Sequence, residues 1–336
     1  MLFNAYKWVT VVSLVLIYLV ILAGSIVRMT GSGMGCPDWP KCFNQWIPPT
    51  HIEQLPEDYR EVFLDKRKAK IEKYAGFLTS LGMGQVAEAL TSDPDLLKEE
   101  PFVARKTWIE YVNRLFGFMA GNFLLIGFIL SLFLWKKSKA IALWSFLAVF
   151  FTGIQGWFGS IVVSSNLTPW TISFHMLFAL LIIAIIIYCL KLSSQRPLVS
   201  ENSLKLLLTV LIVLSLVQVY LGTQVRQEID VIAKVNADRS IWIEGLTSVF
   251  EIHRSFAIAI ILIHGWLVYK LKLVSNWSRF SVILLGIIIS ESFTGIIMAY
   301  LAVPKLAQPV HLFLATIAFG MQVWLWLHVG RVRSEV

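Results

Sequence analysis

The dominant pattern in the sequence is a series of uninterrupted apolar stretches, each about 20 residues long. A helix of about 20 residues crosses the ~30 Å hydrocarbon core of a bilayer, whereas a barrel strand needs only about 10 residues. Eight stretches reach this length: 8–28, 107–135, 140–163, 170–190, 204–224, 248–269, 280–301 and 309–330. The pattern therefore predicts an all-α polytopic membrane protein, and we number these spans 1 to 8.

The composition agrees with this prediction. Of the 336 residues, 57% are hydrophobic, which is more apolar surface than a soluble domain of this size buries. The segment 24–28 at the end of span 1 lacks the small-x-small pattern of a signal-peptidase site, so span 1 is interpreted as an uncleaved helix.

The charged residues predict the orientation of the spans. The long segment 29–106 holds 10 basic and 12 acidic residues, whereas the amino end, the short loops and the tail hold 12 basic residues against Glu201 and Glu335. This positive-inside pattern predicts that both termini are cytoplasmic and that the long segment is outside. The net charge of +8 is thus a topology signal rather than a nucleic-acid footprint. The basic residues are Lys7, Lys136, Lys137, Lys139, Lys191, Arg196, Lys205, Lys270, Lys272, Arg279, Arg331 and Arg333.

Landmarks in spans 1 to 4 recur in the same order in spans 5 to 8. They are 24–28 and 222–226, 110–114 and 251–254, 151–154 and 293–296, and His175 and His311. A recurrence of this kind indicates duplication of a four-helix unit. Because each unit has an even number of spans, both copies have the same orientation, which predicts two pseudo-symmetric four-helix bundles.

The two copies differ in the segment before their second helix. From Arg28 to Asn113 there are 85 residues, but from Arg226 to His253 only 27, a difference of 58. The additional residues include two amphipathic stretches, 57–78 and 84–100, which predict helices lying over the outer surface or a module that docks a partner. The predicted organisation is span 1 in 1–28, an outside loop in 29–106, spans 2 to 4 in 107–200, and the second bundle in 201–336.

Two of the three cysteines lie close together at the start of the outside loop. Cys36 and Cys42 flank a Pro-rich turn on the face predicted to be oxidising, which favours a disulfide. Two free thiols and half of a metal site are the alternatives, although no Cys or His pair lies nearby to complete a tetrahedral site.

His175, His253 and His311 lie near the starts of spans 4, 6 and 8. These spans all run from the outside to the inside, so the three histidines lie at similar depth. His253 and His311 occupy equivalent positions on spans 6 and 8, and two opposed imidazoles inside a bundle are the ligands of a bis-histidine haem. A lone histidine in a membrane helix more often forms a structural hydrogen bond, and zinc would require further ligands. The symmetry of the pair favours two haem ligands.

The first half breaks this symmetry. His175 is the counterpart of His311, but the counterpart of His253 is Asn113, a poor ligand for haem iron. The first half is therefore predicted to leave one iron position open or weakly held, as oxygen chemistry requires.

Charged groups surround the predicted outer ends of the helices. Glu110 lies one turn before Asn113 and is either an ion-pair partner of Arg114 or a carboxylate that handles protons or stabilises a cation. Arginines at four equivalent rim positions either contact lipid headgroups or bind haem propionates. They are Arg28, Arg114, Arg226 and Arg254.

Taken together, these residues resemble the haem A synthases of aerobic bacteria and mitochondria. The resemblance covers all eight spans and rests on the order of several motifs. They are Arg-Met-Thr-Gly-Ser-Gly at 28–33, Pro-Asp-Trp between the loop cysteines, Glu-Tyr-x-x-Arg at 110–114, and His175, His253 and His311.

This resemblance implies an enzyme of the cytoplasmic membrane that oxidises the C8 methyl of haem O to the formyl group of haem A. It implies that His253 and His311 bind haem b, that the first half binds haem O, and that Glu110 takes part in catalysis. It also implies a loop disulfide linked to haem handling. Haem O synthase, a quinol or another electron donor, and cytochrome oxidase assembly are the implied partners, and a homo-oligomer is compatible with this interpretation.

The chain departs from the family pattern at Asn113, where better-known members carry histidine. Asn113 marks either a variant subgroup or a paralogue that has lost the chemistry. We favour the variant, because Glu110 and both loop cysteines are present. Two other functions remain open at this point. They are a quinol-linked b-type cytochrome and a haem chaperone or transporter for oxidase assembly.

Overall fold

The computed structural model describes residues 1–33, 35–38, 40–80, 82–92, 101–164, 169–194, 201–274 and 278–329. In these ranges the chain forms ten α-helices and no β-strand. The helices are α1 Leu2–Thr30, α2 Tyr59–Ser80, α3 Gly84–Ser92, α4 Ala104–Phe133, α5 Lys139–Ser164, α6 Pro169–Leu192, α7 Asn202–Val235, α8 Ser248–Val274, α9 Ser278–Tyr300 and α10 Ala307–His328. All except α2 and α3 are long and apolar enough to cross a membrane. The predicted polytopic all-α membrane protein is confirmed.

The eight long helices form two closed rings of four. Helices α1, α4, α5 and α6 each pack against the next and close the first ring, and α7 to α10 do the same in the second. The rings meet where α10 contacts α1 and α6, and where α6 contacts α7. Under the predicted pseudo-symmetry, α1 corresponds to α7 and α10 corresponds to α6. The α1–α10 contact therefore has the α7–α6 contact as its counterpart, as that symmetry requires.

The interface requires one close approach between helices. A Cβ on Gly320 of α10 would lie only 2.0 Å from the hydroxyl of Tyr18 on α1. Beside it, the rings of Tyr18 and Phe313 pack edge to face with centroids 6.3 Å apart. Ile183 and Ile186 of α6 are fully buried in the same apolar cluster. Helix α6 is therefore the centre of the core that joins the halves.

Helix α2, Tyr59–Ser80, lies where a helix was predicted for 57–78. Its buried side chains, Tyr59, Phe63, Ile71 and Ala75, share one face. The following helix, α3, begins at Gly84 as predicted, and residues 93–100 of the predicted segment 84–100 lie outside the described residues. We call the end of the bundles that carries Cys36, Cys42 and helix α2 the loop face.

Helix α7 is longer than its apolar stretch, which ends at residue 224. The additional turns are stabilised by tertiary contacts. Ile229 is buried in a cluster with Trp242 and Val303, which follow α7 and α9 on the loop face. Asp230, one residue later, ion-pairs with arginines from both halves.

The Asp230 pairs tie the two halves together. Its Oδ2 accepts from Nη2 of Arg28 at 2.6 Å, and its Oδ1 lies 2.8 Å from Nη2 of Arg226. Arg226 also donates to Oε1 of Gln308 on α10. Asp230 is 29% exposed, so these interactions are only partly screened by solvent. The carboxylate therefore bridges the symmetry-related arginines of α1 and α7.

Replacing Asp230 with asparagine tests this bridge. Both arginines lose their charged partner, and we expect a loss of about 1–2 kcal/mol in the free energy of unfolding, moderated by partial exposure. Unfolding of the purified protein in detergent measures the change. Glu244→Gln, at an exposed glutamate with no ion pair among the described residues, is the matched control. Equal stability of the two variants would show that the bridge contributes nothing.

Candidate functional site

Four equivalent positions near the loop face each oppose a glycine on the preceding helix of the ring. A Cβ on any of these glycines would lie 3.1–3.7 Å from the opposing side chain. The pairs are Gly24 with Asn113, Gly159 with His175, Gly222 with His253, and Gly295 with His311. The glycines leave room for the opposing side chains, and Asn113 occupies the position that histidine holds in the other three pairs.

The structure corrects one landmark of the repeat. The sequence pairs Gly153 with Gly295, but a Cβ on Gly153 would meet nothing within 4 Å, whereas Gly159 opposes His175. From Gly159 to His175 there are 16 residues, as there are from Gly295 to His311. The structural counterpart of Gly295 is therefore Gly159, six residues after the Gly153 that the sequence similarity pairs with it.

His253 and His311 lie together in the second bundle. Their ring centroids are 6.4 Å apart, with an angle of 75° between the rings. An iron atom with two axial imidazole nitrogens at about 2 Å separates the ring centres by roughly 6 Å. Nδ1 of His311 hydrogen-bonds to the Glu291 carbonyl oxygen at 2.8 Å and lies 3.0 Å from Oγ1 of Thr294, which leaves Nε2 available as a ligand. The pair fits a bis-histidine haem.

The histidine of the first bundle has an aromatic neighbour. His175 stacks on Phe158 with centroids 6.2 Å apart and 19° between the rings. Its Nδ1 is buried without a hydrogen-bond partner among the described residues, as is the Oδ1 of Asn113. The first bundle therefore places one imidazole and one buried carboxamide where the second has two imidazoles.

Glutamine side chains fix two of the histidine-bearing helices, a feature that the sequence analysis missed. Nε2 of Gln155 donates to the His175 carbonyl oxygen at 2.7 Å, and Nε2 of Gln218 donates to that of His253 at 3.0 Å. Each glutamine lies four residues before the glycine that opposes the same histidine. The Gln-x-x-x-Gly spacing, which recurs in both halves of the sequence, could have predicted these hydrogen bonds.

Glu110 is buried at the start of α4, with 2% exposure. Its carboxylate accepts hydrogen bonds from the guanidinium of Arg114 and, at 2.8 Å, from the backbone N–H of Cys36. In the second bundle the equivalent position, three residues before His253, is Phe250. At this position only the first half has a carboxylate, and both interpretations of Glu110 stay open because it is ion-paired and also lies one turn from Asn113.

The loop disulfide lies directly over this carboxylate. Cys36 and Cys42 are bonded to each other, as predicted. Gly35 docks the loop on α4 so closely that a Cβ there would lie 2.7 Å from the Lys106 backbone, and its carbonyl oxygen accepts from Oγ1 of Thr107 at 2.9 Å. The disulfide loop therefore positions the N–H group that binds Glu110.

The four rim arginines have different surroundings. Arg28 and Arg226 share Asp230, and Arg114 binds Glu110 and donates to the carbonyl oxygens of Cys36 and Asp38. Arg254 is exposed, with its guanidinium 5.7 Å from the Phe250 ring centre, and it forms no ion pair in the described part of the chain. Three of the four are therefore engaged within the protein.

Comparison with known proteins agrees with this arrangement. Residues 7–72 and 96–323 match the COX15-CtaA family, described as cytochrome oxidase assembly proteins. The chain belongs to this family.

Several COX15-CtaA relatives are named "Heme A synthase". Those of Bartonella tribocorum and Brucella anthropi are each 26% identical to this chain, over 93% and 95% of its length and 89% and 90% of their own. That of Shewanella oneidensis is 26% identical over 59% of this chain. The chain spans about half the length of the Shewanella relative, 49%, and 55% of one from Rhodopseudomonas palustris.

Replacing Arg114 with lysine tests how the disulfide loop is held against Glu110 and α4. A lysine has no planar guanidinium to bind a carboxylate and two carbonyl groups together, so we expect the disulfide loop to detach more often. Limited proteolysis of residues 31–58 under native conditions should then be several-fold faster than in the wild type. Arg254→Lys, at the repeat-equivalent arginine, should leave the rate unchanged. Unaltered cleavage of the Arg114 variant would contradict the proposed docking.

Proposed function

We propose that this COX15-CtaA protein is a haem A synthase, a membrane oxidoreductase that converts the C8 methyl of haem O to a formyl group. The observation that carries the proposal is the broken symmetry of the two halves. One half has a matched histidine pair, and the other opposes His175 with Asn113 and places the buried Glu110 one turn away. The names of the relatives support the same activity.

In this proposal His253 and His311 would hold haem b. The space at Gly222 and Gly295, and the hydrogen bond from His311 to the Glu291 carbonyl group, orient the two rings toward each other. A haem held by two histidines supplies one-electron transfer and has no open iron position. The second half therefore serves as the electron carrier for the first.

The first half binds haem O as substrate through His175. Asn113 contributes a short polar side chain instead of a second imidazole, so the opposite face of the substrate iron is not closed by a strong ligand. Converting a methyl to a formyl group removes four electrons and adds one oxygen atom, and dioxygen is the oxidant in this proposal. In each of two hydroxylations one oxygen atom enters a C–H bond, the other leaves as water with two relayed electrons and two protons, and the resulting diol loses water to give the formyl group. Glu110, one turn from Asn113, would accept a proton or stabilise positive charge there. Arg114 and the Cys36 N–H hold that carboxylate in place.

The proposed location is the cytoplasmic membrane, with both termini in the cytoplasm and the loop face outside. The basic residues of the short loops and the disulfide on the loop face support this orientation. Exposed apolar side chains such as Phe118, Phe133 and Leu262 suit contact with lipid. We further propose that a haem O synthase supplies the substrate and that a quinol or similar donor supplies electrons. The product would then be used in cytochrome oxidase assembly.

Pigment analysis tests the activity directly. The protein is co-expressed with a haem O synthase in a host without haem A, and extracted haems are separated by chromatography. We expect haem A from the wild type and at least a tenfold loss in Glu110→Gln, because the amide accepts no proton. Glu251→Gln, at an exposed glutamate of α8, should retain full activity. Absence of haem A in the wild type, with only unmodified haem bound, would instead support a cytochrome or a chaperone.

Spectra of purified variants test the haem ligands. We expect His253→Ala and His311→Ala to lose the low-spin haem b signal, because each removes one of its two axial ligands. His175→Ala should keep that signal and lose only haem bound in the first half. His51→Ala, at an exposed histidine outside the bundles, is the control. A low-spin spectrum that survives the loss of either His253 or His311 would refute this pairing.

A further inference from the structure

A second pair of polar side chains lies deeper in the second bundle, in line with His253 and His311. His264 follows His253 by 11 residues, and Gln322 follows His311 by the same interval. Such an interval is about three helical turns, so each side chain shares a helix face with its histidine, about 16 Å farther from the loop face. Both residues are buried, with 1% exposure. The two pairs therefore form two levels of one bundle interior.

The deeper pair is joined by a directional hydrogen bond. Nδ1 of His264 donates to the Ile260 carbonyl oxygen at 2.8 Å, so in the neutral imidazole Nε2 is an acceptor. Nε2 of Gln322 donates to this ring nitrogen at 2.9 Å and also to Oγ of Ser215 on α7 at 2.8 Å. The Gln322 amide group is therefore fixed by two bonds, one to α8 and one to α7.

The hydrogen bond crosses the interior of the bundle. Helices α8 and α10 lie at opposite corners of the second ring, and each packs against α7 and α9. The rotation of two opposite helices relative to each other is set most directly by side chains that meet across the bundle. A hydrogen bond weakens steeply when its angle falls below about 120°, so this bond tolerates little rotation of either helix.

The first half has no such bond at the corresponding level. Eleven residues after Asn113 and His175 are Leu124 and Ile186, and both are buried in one apolar cluster. Apolar contacts are non-directional, so they fix the rotation of opposite helices less strictly than a hydrogen bond does. The polar pair therefore occurs in the half with two opposed imidazoles, and an apolar pair occurs in the half with one.

We propose that the hydrogen bond between His264 and Gln322 aligns His253 and His311 for a shared haem iron. It sets the rotation of α8 against α10, and the same rotation directs both imidazoles, three turns away, toward the bundle axis. His264 and Gln322 are thus positioning residues, which act on the metal through the two histidines. The inference rests on the proposed haem b between His253 and His311.

Substitution by the first-half residues tests this role. His264→Leu, Gln322→Ile and the double variant are made in a His175→Ala background, so that only second-half haem is measured. Each single variant leaves a buried polar partner unpaired, and we expect lower stability and a several-fold larger fraction of high-spin haem. The double variant removes both polar groups, so its free energy of unfolding should recover while the high-spin fraction stays raised. Absorbance and electron paramagnetic resonance report the spin state.

Two further variants separate alignment from stability. His264→Gln keeps an acceptor for the Gln322 amide and should retain the low-spin spectrum. Leu208→Ala, at a fully buried leucine of α7, should lower the free energy of unfolding without changing the spin state. A fully low-spin double variant would overturn the proposal, and so would a high-spin fraction that rises equally in Leu208→Ala. Loss of low-spin haem in His264→Gln would also contradict it.

The proposed enzyme activity is judged separately, with His175 present, by the appearance of haem A. A spin state that depends on His264 and Gln322, without haem A formation, would keep the positioning role and reject the synthase. Haem A formation with a spin state that ignores both residues would do the reverse. A protein without low-spin haem before either residue is changed would overturn both this inference and the proposed ligand pair.

Discussion

The absence of water inside a bilayer constrains every other feature of this protein. Each backbone N–H and C=O group within the membrane must be paired inside its own segment, so the chain crosses only as helix. A helix cannot bend its backbone around a bulky group without losing those bonds. Space for the candidate ligands therefore comes from glycines, which have no side chain. A glycine opposes each of Asn113, His175, His253 and His311.

On this repeated scaffold the departures from symmetry collect in one place. The first half has Asn113 for a histidine, Glu110 where the second half has Phe250, and a disulfide loop with helix α2 where the second half has a short link. Arg114 joins two of these features, because it binds both Glu110 and the backbone of the disulfide loop. Duplication supplies a stable frame, and the altered copy carries the groups suited to chemistry.

Charge pairing explains why arginines equivalent in the sequence have different surroundings. A guanidinium near the membrane boundary is costly unless it is bound or hydrated, and each of the four meets that requirement with the partner its surroundings offer. Arg28 and Arg226 meet on Asp230, Arg114 is held by Glu110 and by carbonyl oxygens, and Arg254 faces solvent over an aromatic ring. The rim thus links the halves, supports the disulfide loop and leaves one arginine available.

The sequence by itself determined the eight spans, the duplication, the helix α2 and the level of the histidines, because apolar length and helical period are local properties of a chain. It also favoured the disulfide, whose cysteines lie six residues apart. Only the tertiary structure decided that Gly159 opposes His175 and that α7 continues to Val235. Arg28 and Asp230 are 202 positions apart, and no local pattern records which distant groups share a packing surface.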